Sequence, residues 1–240
     1  MKRISQFLGA FVSLIILWWL MSYLLDNRSL PTPWLTFERM TELGFDMWRH
    51  TAASALRILT ALSLALVFGV PLGILWGVSN CFNRLFGPLI YLLYPIPKVA
   101  FLPIFMIFWG LGNTSKIMLI FSVIIIQVIV SIRDAVQSIP PNYFELMANY
   151  KSNFKHQLRF LIIPAILPAI ISSLRVSIGI GLASLFFAEN YSTKYGLGYL
   201  ILSAWSKMDY PQMLAGILLI SLLGYLFFQS LDILEMKLKH

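Results

Sequence analysis

Long apolar runs recur along the chain, at about residues 4–25, 55–78, 85–109, 117–132, 162–188 and 213–231. Each approaches the roughly 20 apolar residues that a helix needs to cross bilayer hydrocarbon. A backbone in hydrocarbon must satisfy its own hydrogen bonds, and uninterrupted runs of this length do so as helices. Composition points the same way: 59% of the 240 residues are hydrophobic and 12% are charged, against roughly 25% charged in a soluble domain. Mean hydropathy is +0.80. The expected fold class is an all-α membrane protein with six transmembrane helices.

The net charge of +8 does not indicate nucleic acid, because the basic residues sit between apolar runs instead of forming a stripe. With the amino terminus in the cytoplasm, Lys2, Arg3, Arg84, Arg133, Lys151, Lys155, Arg159, Lys237 and Lys239 fall inside. Arg28, Arg39, Arg49, Lys116, Lys194 and Lys207 fall outside, and Arg57, Lys98 and Arg175 lie within or at the edge of runs. This bias places both termini in the cytoplasm. The first run is longer than a typical signal-peptide core and no small-residue cleavage pattern follows Leu25, so it reads as an uncleaved span. A single cysteine, Cys81, excludes an internal disulfide. His50, His156 and His240 are isolated from one another, and no metal site is visible.

The segment 26–54 contains Pro31, Pro33 and a mixed-charge stretch, Phe37 to His50, that suits a short surface helix. The connection from Arg133 to Phe160 is more informative. After Pro140-Pro141, Asn142 is placed to cap a helix, with Glu145 reaching back to the cap amide. Tyr143, Met147, Tyr150 and Phe154 then recur at helical spacing and make one apolar stripe. Phe144 and Leu146 lie in the same segment, and the opposite face carries Glu145, Asn149, Lys151, Ser152 and Lys155. Such a stripe suits either a membrane surface or a groove in a cytoplasmic partner.

An ordered set of fragments resembles one family. Glu145-Leu146-Met147, then Phe154, then Ile162-Ile163-Pro164-Ala165-Ile166-Leu167-Pro168 is similar to the cytoplasmic signature of binding-protein-dependent ABC importer permeases. Gly69-Val70-Pro71-Leu72-Gly73, Pro95-Ile96-Pro97-Lys98-Val99-Ala100-Phe101-Leu102-Pro103 and Phe108-Trp109-Gly110-Leu111-Gly112 precede it. Leu174-Arg175, Ala188-Glu189 and Gly196-Leu197-Gly198 follow. The set covers about Ser54 to Leu231 and looks like the sulfonate, taurine and nitrate branch, which also includes importers of vitamin precursors. The resemblance implies that the segment from Asn142 to Arg159 docks an ATPase, and that the core comprises five spans from the second onward. It also implies two ATPase subunits beneath and a solute-binding protein outside. In the signature, Leu146 and Met147 replace two alanines, and Lys151 replaces the glycine that turns the chain between two short helices. Lysine adopts a left-handed backbone less cheaply than glycine, so the bend is expected at Ser152-Asn153, or the helix is expected to run on.

Energy must come from a separate subunit. No Gly-x-x-x-x-Gly-Lys-Ser/Thr loop occurs, and Gly110 to Lys116 has the wrong spacing. ATP and magnesium are therefore expected in a partner, with no cofactor in this chain.

Charges inside a span are rare and usually functional. Arg175 can snorkel toward the inner interface, a structural role. Lys98 sits where Pro95 and Pro97 break the third run, and such breaks are tolerated only against protein or a watery cavity. It is placed either to attract an anionic solute or to pair with Glu189. Ser173, Ser177 and Gly181 repeat every fourth residue, which suits close helix packing or a smooth pathway wall. The expected pathway set is Pro95, Pro97, Lys98, Ser177, Gly181 and Glu189. Trp18, Trp19, Trp34, Trp48, Trp109 and Trp205 read as interfacial anchors. The triplets headed by Asn27, Asn113 and Asn190 read as chance.

The organisation expected is an N-terminal span with an external segment over 1–50, then a permease core over 51–240 containing a coupling segment at 134–160. Six helices are few to enclose a pathway, so two copies are expected to face each other. A membrane-embedded enzyme would need clustered catalytic side chains that are absent here. A channel or secondary transporter would give the Asn142 to Arg159 helix no purpose. The expected cargo is a small polar solute, an anion by the argument from Lys98, with an uncharged or cationic pyrimidine-type precursor as the alternative.

Overall fold

A computed structural model describes residues 2–25 and 27–238. Lys239, counted above among the internal basic residues, and His240, named among the histidines, lie outside the described residues. The chain divides into two compact units, Met1–Ser54 with Glu189–Leu222, and Ala55–Ala188 with Leu223–His240.

Every regular element among the described residues is helical: α1 (Lys2–Leu25), α2 (Pro33–Val78), α3 (Asn80–Leu93), α4 (Leu102–Trp109), α5 (Asn113–Gln137), α6 (Pro141–Asn149), α7 (Phe154–Gln157), α8 (Ile163–Glu189), α9 (Leu197–Ser206) and α10 (Tyr210–Leu238). Among the described residues, four helical stretches are long and apolar enough to cross a membrane: Pro33–Val78, Asn113–Gln137, Phe154–Glu189 and Tyr210–Leu238. These hold the second, fourth, fifth and sixth expected spans, and α1 occupies the first run.

The third run is not one helix. α3 stops at Leu93, a 3₁₀ turn follows over Lys98–Phe101, and α4 begins at Leu102. Pro95 and Pro97 lack the amides that would continue α3. Pro103, expected to break the run a third time, instead sits in the first turn of α4, where no amide partner is needed. α2 begins well before the expected second span and is kinked at Gly44, whose φ of 50° glycine accommodates freely. The short helix α9, ten residues long, lies between the expected spans and cannot itself cross a membrane.

In the second unit, α5 buries Ile120, Ile124, Val128, Ile132 and Val136, one every fourth residue. Against them α2 sets Gly69, Gly73 and Gly77 at the same spacing. A methyl group built on Gly73 would lie 2.7 Å from Ile132 Cβ and 2.9 Å from the Ile129 carbonyl oxygen, and one on Gly77 would lie 2.6 Å from Val136 Cβ. The two backbones therefore approach as closely as the absence of Cβ permits. Lipid tails are as apolar as these side chains, so van der Waals contact across such a seam, and not exclusion from water, stabilises the pair.

Between α5 and α8 the chain makes a two-helix elbow. α6 ends at Asn149, and Lys151 takes a φ of +52°. The Ser152 amide donates to the Met147 carbonyl at 3.1 Å and the Lys151 amide to Ala148 at 2.8 Å, closing the helix end. Asn153 Oδ1 then accepts the His156 amide at 3.0 Å and caps α7. The bend thus sits at Lys151 itself, not at Ser152-Asn153, because the closing hydrogen bonds offset the cost of the left-handed residue. Two other expectations are corrected. Pro140 and Pro141 start α6, so Asn142 lies inside the first turn and makes no side-chain cap. The turn also separates Phe154 from the stripe begun by Tyr143. After α7 one π turn, Leu158–Ile162, leads into α8. Its widened ring accommodates Pro164, whose own ring would otherwise crowd the Phe160 carbonyl.

Four substitutions test these contacts by thermal unfolding of the purified chain in detergent. Gly73→Ala should destabilise by about 1–3 kcal/mol through overpacking, whereas Gly179→Ala, with nothing within 4 Å of the added methyl, should stabilise by about 0.5–1 kcal/mol through helix propensity alone. Lys151→Gly should stabilise by up to about 1 kcal/mol by relieving the left-handed strain, and Lys151→Val should destabilise.

Candidate pathway and coupling sites

Lys98 lies immediately beyond the α3 break. Its ammonium donates to the carbonyls of Leu93, Tyr94 and Ile96 at 3.1, 3.4 and 3.4 Å. Continuing α3 would have paired Leu93 with the amide of residue 97, which is proline. The lysine therefore supplies at Leu93 the donor that Pro97 lacks, at a helix carboxyl end that favours a cation. Beside it opens a cleft of about 370 Å3, walled by the break, α5 and α8. Tyr94, Lys98, Gln127 and Ser184 are its polar members. Tyr94 Oη donates to Gln127 Oε1 at 3.2 Å, and Ser184 Oγ donates to the Ile180 carbonyl at 3.0 Å.

The other expected pathway residues lie elsewhere. Ser177 is fully buried, and its Oγ has no hydrogen-bond partner among the described residues. Gly181 faces Ile124 and Ile58, whose side chains would stand 3.0 and 3.3 Å from an added methyl. Both belong to the helix seam, and the face of α8 turned to the cleft is instead Ile180, Ala183, Ser184 and Phe187. About a quarter turn around the helix axis separates the two faces, which small-residue spacing alone does not reveal.

Glu189 belongs to the first unit and is fully buried. Ser54 Oγ donates to its carboxylate, 2.8 and 2.9 Å from the two oxygens, and the Gly198 amide donates to Oε2 at 2.8 Å. Ser54 Oγ also accepts the Leu197 amide at 2.8 Å, and His50 Nδ1 accepts the Gly196 amide at 3.0 Å. Three side chains thus take up the leading amides of α9, and the carboxylate lies at the helix end that favours negative charge. Sequence reading missed His50 and Ser54. Their signal was polarity at the edge of an apolar run, paired with the Gly196-Leu197-Gly198 turn. On the same unit, the Arg39 guanidinium pairs with Glu42 at 2.6 Å and with Asp209 at 2.7 Å.

Two cations of the second unit are buried. Arg57 donates through Nε and Nη2 to Asn113 Oδ1 at 2.9 and 2.8 Å, and Lys116 donates to the carbonyls of Leu111 and Gly112 at 3.2 Å each. Lys116, counted above among external basic residues, is 1% exposed, so it serves the interior of the fold and is a poor marker of orientation. Arg175 pairs with Asp232 and Glu235 of α10. The two carboxylates stand one helical turn apart, so one guanidinium reaches both and links α8 to α10.

The α6–α7 elbow presents a mixed face. Phe144 packs on the hydrophobic core of the second unit together with Leu158 and Leu161. Tyr143, Leu146, Tyr150 and Phe154 are between 47% and 79% exposed, and Asn142, Glu145 and Lys151 are also exposed, with Met147 half-buried. Apolar area of this kind on a short polar-flanked element suits a partner surface.

Residues 69–240 match the family described as "Binding-protein-dependent transport system inner membrane component". The chain is 32% identical to the taurine transport system permease protein TauC of Escherichia coli (strain K12), over 99% of this chain and 90% of that protein. It is 26% identical to the formylaminopyrimidine transport permease protein ThiX of Halalkalibacterium halodurans, over 98% of this chain and 96% of that one. Its fold is similar to that of a chain of the MetNI methionine ABC transporter, solved in inward-facing conformations, with a TM-score of 0.71 and 16% identity over 84% of this chain and 98% of that chain. The likeness to MetNI speaks to fold alone. The family match and the identity to TauC along nearly the whole length make this chain a member of the family of inner-membrane components of binding-protein-dependent transport systems.

Proposed function

We propose that the chain is the membrane-spanning subunit of an ATP-driven importer, working as a pair of copies with two ATPase subunits on the cytoplasmic side and a solute-binding protein outside. Both termini lie in the cytoplasm, and the elbow of α6 and α7 faces the same side. What supports this reading above all is the elbow. It exposes apolar side chains toward a partner, and its second helix continues through one π turn into α8, an element long enough to span the membrane. ATP, with magnesium, is bound and hydrolysed in the partner, and closure of the two ATPases pushes on the elbows. The push travels along α8 and, through Arg175, to α10, rocking the helices between inward-open and outward-open states.

The cargo is a small organic or inorganic anion of the taurine, sulfonate or nitrate kind, as the name of TauC suggests. The end-to-end similarity to ThiX favours a second reading, a pyrimidine precursor. Thermal-shift screening of the partner binding protein against sulfonates, nitrate, bicarbonate and formylaminopyrimidine separates the two, with stabilisation by a sulfonate expected and stabilisation by the pyrimidine alone overturning the anion assignment. Glu145→Lys should abolish co-purification of the ATPase or uncouple hydrolysis from uptake in proteoliposomes. Normal co-purification with full coupled turnover would remove the elbow from the mechanism.

A further inference from the structure

We propose that the cleft beside the α3 break is a selection site within the membrane for small organic anions, with Lys98 supplying its charge and its apolar wall discriminating against bare inorganic ions. The substrate assignment rests on the importer reading above; the electrostatics of the cleft do not.

Lys98 is the one ionised group among the described residues that line the cleft. Its ammonium is held by carbonyl dipoles at 3.1–3.4 Å and by no carboxylate. Such neutral acceptors leave the full positive charge in place, and an ionised oxygen makes a shorter and stronger bond to the same donors. Low-dielectric walls concentrate that field in the opening. The volume of about 370 Å3 lies at the lower end of small-molecule sites, roughly 300–1,000 Å3.

The rest of the lining decides what kind of anion fits. Gln127, Tyr94 and Ser184 offer polar contacts around one part of the cleft, whereas Ile126, Ile180 and Phe187 present hydrocarbon. A nitrate or bicarbonate ion would lose water against those walls and gain no partner there. A sulfonate on a short carbon chain places its oxygens at Lys98 and its methylenes on the hydrocarbon. Burial of each methylene strengthens binding by about fourfold.

The test uses the full chain in proteoliposomes, with Ala183→Cys introduced on the cleft face in a Cys81→Ser background. An anionic methanethiosulfonate reagent should modify that cysteine at least fivefold faster than a cationic one, after correction for their rates with a free thiol. Lys98→Glu should reverse the preference. Because Lys98 also caps α3, Gln127→Glu provides the same charge test without touching that cap, and should reduce the preference by at least threefold. Propanesulfonate should protect the cysteine at concentrations where nitrate does not. Equal rates for the two reagents, no effect of either glutamate, an unreactive cysteine, or equal protection by nitrate would each overturn the proposal. Failure of the wild-type complex to show uptake dependent on ATP and binding protein, alongside the expected reagent pattern, would instead overturn the importer reading and leave the anion-selective cleft standing.

Discussion

In hydrocarbon no water is available to take up a stray carbonyl or amide, and an unpaired backbone group there costs several kcal/mol. The backbone breaks at the end of α3 and the start of α9 can be understood from that constraint. Where Pro95 and Pro97 end α3, the ammonium of Lys98 reaches back to the abandoned carbonyls. Where α9 begins without a predecessor turn, Glu189, Ser54 and His50 receive its amides. Lys98 and Glu189, which look like free functional charges in the sequence, each hold a backbone break in place.

The same constraint explains how a cleft comes to exist. A continuous third helix would have packed flush against α5 and α8. The interruption between Leu93 and Lys98 withdraws the backbone from that surface and leaves a pocket, and the group that repairs the hydrogen bonds is also the only fixed charge facing it among the described residues. The side chain that repairs the backbone thus also carries the charge at the opening, because a cation suits a helix carboxyl end.

Tight seams convert these local features into a body that can transmit force. The glycines of α2 against the β-branched stripe of α5, and Gly181 against Ile124 and Ile58, leave no room for independent sliding. Arg175 adds an ionic link between α8 and α10. The elbow meets this body through Phe144. Such an element is suited to receive a push from a partner and to pass it on through the π turn.

Apolar run length by itself determined the helical class, the positions of the long helices and the elbow that interrupts them, because the hydrocarbon requirement leaves a chain of this kind almost no other backbone. The order of short Gly, Pro and Glu fragments was enough to suggest the family. Only the tertiary structure decided what individual polar residues do. Lys116 read as an external marker and is buried; Ser177 and Gly181, which suited close packing and were also placed in the pathway set, lie in the seam; Asp232 and Glu235 gave no sign of their arginine. Run length is a property of one segment, while the partner of a charge lies on another helix, and nothing in local sequence encodes the rotation that brings the two together.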